Sequence, residues 1–251
     1  VTMCGTFLAI AIAQAKSAST KRQGENVNRA LDGAVAIAMT RIHRSLEANL
    51  LPAPSGGPGA LPADAADLPR PVLGVIGNLG ENTDWTLLEQ AIERIGASWV
   101  FVGSPAMPIA DPAESAARAR VVTRGGRVRF LGPRPYSTLV DYARGFDAAV
   151  LPYRRREPTY SGSSTRYYEH LAAGRPMLAT GVPAELLDKA PLVTLLDTAE
   201  EMVAAFEALR ASGFRDGVED ARWRASREGT WEARARQVRE ALRRSGQRSR
   251  R

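Results

Sequence analysis

The run Ser161-Gly162-Ser163-Ser164 stands directly before a short amphipathic segment that carries Arg166 and Glu169. Small residues opening a helix leave backbone N–H groups unpaired and turn the positive end of the helix dipole toward an anion. A carboxylate about two turns further in is badly placed for phosphate but suits the hydroxyls of a ribose. The pair reads as a site for a nucleoside diphosphate, with Gly162, Ser163 and Ser164 at the phosphates and Glu169 at the sugar. The competing reading of Glu169 is a surface ion pair with Arg166, three residues before it. His170 reads as a packing or surface histidine.

Such a site needs elements to hold it. Apolar runs at Val72–Ile76, Trp99–Val102, Val128–Leu131, Ala148–Leu151, Met177–Ala179 and Leu192–Leu195 read as strands. Helical patterns lie near Trp85–Ile95, Tyr136–Arg144, Thr165–Ala173, Ala184–Lys189 and Glu200–Leu209. Strands apolar on both faces, alternating with helices, predict an α/β fold with a doubly wound, Rossmann-like parallel sheet over residues 70–212. In such sheets ligands bind beyond the carboxyl ends of the strands. The loops Gly77–Asp84, Gly103–Met107, Gly132–Ser137 and Pro152–Ser164 should therefore share one edge. Asp84 is either a loop ligand or the N-cap of the helix after it.

Ahead of this domain, residues 51–69 form a Pro/Gly/Ala stretch without periodicity, expected to be a linker. Residues 1–50 read as mostly helical with one short strand, residues 213–244 as terminal helices and residues 245–251 as a disordered basic tail. The GxGxxG fingerprint is absent after the first strand, since Gly74, Gly77 and Gly80 are spaced differently. That argues against a nicotinamide or flavin enzyme.

The segment from Ser161 to Thr180 resembles the donor-binding element of GT-B glycosyltransferases, of the group 1, family 4-like kind. The matching residues are Arg166, Glu169, Leu171, Ala172, Gly174, Pro176 and Ala179. Asp32 to Thr40 is similar to the last strand of that family's N-terminal domain, and Trp231 to Ala235 to its closing helix. The resemblance implies a C-terminal donor-binding domain with a truncated N-terminal domain. It implies a glycine-rich loop at Gly77 near the donor, and base recognition after Gly132, with Pro135 and Tyr136 as candidates. It also implies cations, with Arg155 and Arg166 as candidates, at the departing diphosphate. Relatives carry Arg and Lys near the first loop, and this chain has neither there. Ser161 stands where retaining members commonly have a first glutamate.

Composition bounds the rest. At 251 residues with 44% hydrophobic content, the chain can bury one good core, or one domain and part of another. A single cysteine, Cys4, and two histidines, His43 and His170, exclude an intramolecular disulfide framework and His- or Cys-rich metal centres. The net charge of +7 is almost all arginine, since lysine occurs only at Lys16, Lys21 and Lys189. Much of the surplus sits from Arg243 onward, so nucleic acid is not the expected partner. The apolar stretch Phe7–Ala13 is too short for a bilayer span and has no basic region before it, which argues against a signal peptide. The first residue, a valine, suggests a chain that begins inside a longer reading frame.

The expected activity is transfer of a sugar from a nucleotide-diphosphate sugar to a hydroxyl, with no metal and no separate cofactor. Retention is implied by the resemblance alone. The acceptor is open between a glycan, a lipid-linked sugar and a small molecule. A cytoplasmic, bacterial-type enzyme fits, and a lipid-linked acceptor would add peripheral contact with the membrane's inner face. The rival readings are a non-catalytic nucleotide-sugar-binding fragment and an Arg-rich nucleic-acid-binding protein.

Overall fold

Val72-Leu-Gly-Val-Ile76 and Ala148-Ala-Val-Leu151 carry no polar side chain, so each must be covered on both faces. The computed structural model of the chain describes residues 56–156, Thr159, 164–228 and Glu240. In it both segments are fully buried strands at the centre of a parallel sheet. Among the described residues the strands are β1 (Val72–Ile76), β2 (Ser98–Val102), β3 (Val128–Gly132), β4 (Ala148–Leu151), β5 (Met177–Thr180) and β6 (Thr194–Leu196). Their spatial order is β3-β2-β1-β4-β5-β6, the doubly wound arrangement expected from the alternation. The order reverses between β1 and β4, the place outside the carboxyl ends where sheets of this kind bind their ligands.

Helices cover the two faces: α1 (Trp85–Arg94), α2 (Pro112–Thr123), α3 (Leu139–Gly145), α4 (Thr165–Leu171), α5 (Ala184–Leu187), α6 (Ala199–Ala211) and α7 (Glu219–Glu228). One core joins Trp85, Leu88, Trp99, Phe101, Met202 and Phe206. A second lies under α3, where the Phe146 ring rests on β1. Gly74 permits that approach, because a Cβ there would sit 1.9 Å from the ring.

Three elements depart from the sequence reading. Helix α2 was not expected, because its Ala- and Arg-rich sequence buries only Glu114, Ala117 and Val121 and carries little apolar periodicity. Its start is nonetheless encoded, with Asp111 capping the N–H groups of Ala113 and Glu114 and Pro112 in the first turn. The segment read as Tyr136–Arg144 begins as a 3-10 turn over Tyr136–Thr138 before α3 proper.

The third departure is the stretch read as a linker, whose described part, from residue 56, packs onto the domain. Ala65 and Leu68 are buried in the second core, and Asp64 binds Arg134 and the Tyr142 hydroxyl. Apolar anchors at two positions suffice to dock a segment that has no periodicity of its own. The expected N-terminal remnant, the Trp231 helix and the basic tail lie outside the described residues, Glu240 excepted. Among the described residues no helix is long and apolar enough to cross a membrane.

Candidate functional site

Two loops leave the sheet at the β1/β4 reversal and are stitched together. Thr83 and Tyr153 form an antiparallel bridge, flanked by bonds from Asp84 N–H to the Pro152 carbonyl (2.9 Å) and from Arg154 N–H to the Asn82 carbonyl (3.0 Å). Gly77 begins the first loop at φ +124°, in the region only glycine adopts readily. A Cβ there would lie 3.0 Å from Nε of Arg166. The close approach of chain to guanidinium thus requires the missing side chain.

Arg166 enters this junction from the first turn of α4. It is 4% exposed, and its guanidinium stacks 5.0 Å from the centre of the Tyr153 ring. Nη2 donates to the Asn78 carbonyl and to Oγ1 of Thr83 (3.2 Å). Nη1 is buried and finds no hydrogen-bond partner among the described residues. No carboxylate among the described residues pairs directly with Arg166, and Glu169 acts on it only at longer range. A buried donor left without an acceptor is costly, and an anion's oxygen would remove that cost.

Glu169 lies one turn along the same helix. The residue keeps some exposure, yet its Oε2 is sealed from solvent without a hydrogen-bond partner. Burial pushes its carboxyl up to about 7, against a smaller opposing pull from Arg166. Glu169 and Arg166 do not form an ion pair, since the arginine turns to the first loop. The phenol of Tyr136 is raised by burial and, less, by the charge of Glu169, which places the exposed Tyr136 at the same opening. His170 is fully buried against Phe146, and burial lowers it to about 3, so it is a neutral packing residue.

Several expected ligands stand elsewhere. Ser164 is N-cap of α4; its hydroxyl accepts from Tyr167 N–H and bonds the Tyr153 hydroxyl (2.8 Å). Its own N–H donates to Glu185 (3.0 Å). Ser164 therefore offers an anion neither group, because Glu185, in the first turn of α5, takes the amide first. Gly162 and Ser163, like Ser161, lie outside the described residues.

Arg155 pairs with Asp197, the residue after β6. Its neighbours are also engaged, Arg154 by Glu81, Asp111 and Glu114, and Arg156 by Glu81. Pro135 is exposed, with its carbonyl accepting from Thr138, and makes no described contact with Glu169. Asp84 caps α1 through Leu87 N–H.

Tyr153, Thr83 and Asn78 were missed as site residues. Only Tyr153 carried a signal, as the aromatic after the proline that ends β4. The assembled site is thus Gly77, Asn78, Thr83, Tyr153, Arg166 and Glu169, with Tyr136 beside it. Its two charged side chains, Arg166 and Glu169, each hold one solvent-shielded polar atom that has no hydrogen-bond partner among the described residues.

A family model described as "Glycosyl transferases group 1" matches residues 70–212. No curated protein sequence matches the chain. Among solved structures, sucrose-phosphate synthase from Thermosynechococcus elongatus is 22% identical with a TM-score of 0.55, over 75% of this chain and 49% of that one. HepE of Anabaena, solved with UDP and glucose, is 16% identical with a TM-score of 0.55, over 71% of this chain and 49% of that one. In its complex with UDP-glucose HepE aligns at a TM-score of 0.52 over the same shares. The chain therefore spans about half the length of these structures.

Proposed function

The chain belongs to the group 1 glycosyl transferases, and we propose that it takes part in moving a sugar from a nucleotide-diphosphate sugar to a hydroxyl acceptor. One observation carries the reading. At the β1/β4 reversal, Nη1 of Arg166 and Oε2 of Glu169 are both buried and both lack a hydrogen-bond partner among the described residues. A nucleotide sugar presents complements to both, anionic diphosphate oxygens for the guanidinium and ribose hydroxyls for the carboxylate.

In this reading Gly77 lets the first loop close over the diphosphate beside Arg166. Tyr153 and the Asn78 carbonyl hold the guanidinium plane fixed, so little reorganisation is needed when the sugar–phosphate bond breaks and negative charge gathers on the departing oxygen. Tyr136 flanks the base or the ribose. The charge-neutralising role falls to Arg166 rather than to a metal ion, and the sugar keeps its anomeric configuration. The likeness to structures solved with UDP and UDP-glucose supports a nucleotide-sugar partner. A glycan, a lipid-linked sugar and a small molecule remain the acceptor classes.

The test is calorimetric titration of the chain with UDP-glucose, ADP-glucose and GDP-mannose, with and without a chelator. Binding of one of them, undiminished by the chelator and weakened at least tenfold in Glu169→Ala, is expected. Absence of binding by all three, or binding that requires a divalent ion, overturns the respective part. Transfer to water, followed by proton NMR of the released sugar's anomer, reads retention against inversion.

A further inference from the structure

We propose that nucleotide-sugar binding in this chain is coupled to release of a proton from Glu169, so that the donor is held by the carboxylate and excluded by the carboxylic acid. The proposal rests on the donor-site reading above and adds a regulatory property to it.

The argument begins with what surrounds the carboxyl group. On its own helix, Arg166 directs Nη2 to Asn78 and Thr83 instead of to Glu169. His170 is buried and uncharged. From the exit of β4 comes Tyr153, whose hydroxyl is bonded to Ser164 and whose own ionisation is opposed by burial. From the turn after β3 comes Tyr136, a neutral phenol. On α3, which packs against α4, Arg144 is itself disfavoured as a cation by burial and lies in the field of Asp141. On α7, also packed against α4, Arg222 is taken up by Asp216 and by the Leu192 and Gly174 carbonyls. Among the described residues Arg166 alone is found to pull against burial, and Oε2 is sealed and without a hydrogen bond. Desolvation therefore dominates, and the group rests at about 7.

A bound ribose changes that balance. Two neighbouring hydroxyls donate well to the two oxygens of a carboxylate, but a protonated carboxyl has one oxygen committed as a donor. The charged form gains more from the ligand, so binding draws the proton off. Near neutral pH about half of the unliganded molecules carry it, given a midpoint of about 7.

The experiment is calorimetry of the full chain with UDP-glucose, ADP-glucose and GDP-mannose near pH 6, 7 and 8, in two buffers of different ionisation enthalpy. These sugars are used because their diphosphate diester does not titrate in this range. The expected result is release of about half a proton per ligand near pH 7, with affinity about tenfold weaker near pH 6 than near pH 8. In Glu169→Gln the affinity near pH 8 falls and the pH dependence disappears. Binding without proton release, or with equal affinity near pH 6 and pH 8, overturns the coupling and leaves the donor site standing. A pH dependence that survives in Glu169→Gln also overturns it and assigns the proton elsewhere, first to Asp84, the other carboxyl raised by burial. Failure of every sugar to bind at any pH overturns the donor site and the coupling together. The proton count needs no variant, so it decides the proposal even where the glutamine protein does not fold.

Discussion

Three arginines are buried among the described residues, and the two edges of the sheet use them in opposite ways. At the edge where strands begin, Arg175 donates to the carbonyls of Phe146 (3.2 Å), Gly56 (3.4 Å), Asp147 (3.4 Å) and Phe214 (3.2 Å). Beside it Arg222, with no exposure, donates to the Leu192 and Gly174 carbonyls and forks onto Asp216. These two join the β4 and β5 entries to the C-terminal part of the domain, and every nitrogen is occupied. At the edge where strands end, Arg166 satisfies one arm and leaves the other without a hydrogen-bond partner among the described residues. The same residue type staples the fold where its donors are all taken, and where one is not it leaves the donor that the proposed function assigns to the diphosphate.

The contrast breaks most visibly at Asp216. Asp216→Ala strands a buried cation, and a loss of about 3–5 kcal/mol in urea unfolding is expected, with nucleotide-sugar affinity of the folded fraction unchanged. A comparable loss of affinity would show that the two edges are not separable.

Glu169→Gln tests the opposite edge by stability alone. A carboxyl raised from 4.5 to about 7 contributes stability below its unfolded value and loses it as pH rises through the folded value. The glutamine variant should therefore gain on the order of 2–3 kcal/mol over the unliganded parent near pH 8, and little near pH 4, by urea titration at both pH values. Equal stability of the two proteins near pH 8 would mean that the carboxylate is not strained by burial.

Removing the Arg166 cation is a binding experiment. Arg166→Met should weaken nucleotide-sugar binding at least tenfold, about 1.4 kcal/mol, while stability moves by no more than about 1 kcal/mol. If this variant unfolds as readily as Asp216→Ala, Arg166 is a third staple. The smallest effect is expected at Tyr136, where replacement by alanine should cost roughly threefold in affinity and leave the thermal midpoint unchanged, because the side chain is 47% exposed.

Strands β1 and β4 were legible to the residue because both faces must be apolar, and that pattern survives any neighbour. Helix α2 was not, since its few buried positions are spread through alanines and arginines whose partners sit on α1. Even its role was hidden. Glu114 reaches across to the N–H of Trp85 (2.7 Å) and Oγ1 of Thr86 (2.8 Å), capping a helix 29 residues earlier. In the candidate site, Glu169 was singled out from its place on the helix and Arg166 through the family resemblance, and the alternative of an ion pair between them is not what the structure shows. Arg155 was read as an equal of Arg166, because nothing local distinguishes an arginine that will find Asp197 from one that will find only carbonyls.

The amino-acid sequence by itself determined the alternation of strands and helices, the edge on which the loops gather and the helix that carries Arg166 and Glu169. These follow from periodicity and chain chirality, which act over a few residues. Only the tertiary structure decided which polar atoms are left without partners. Ser164 lost its amide to Glu185, 21 residues away, and Arg166 met Asn78 and Thr83, more than 80 residues away. Hydrogen-bond satisfaction is a property of the folded whole, because each donor can be taken by any acceptor the fold delivers.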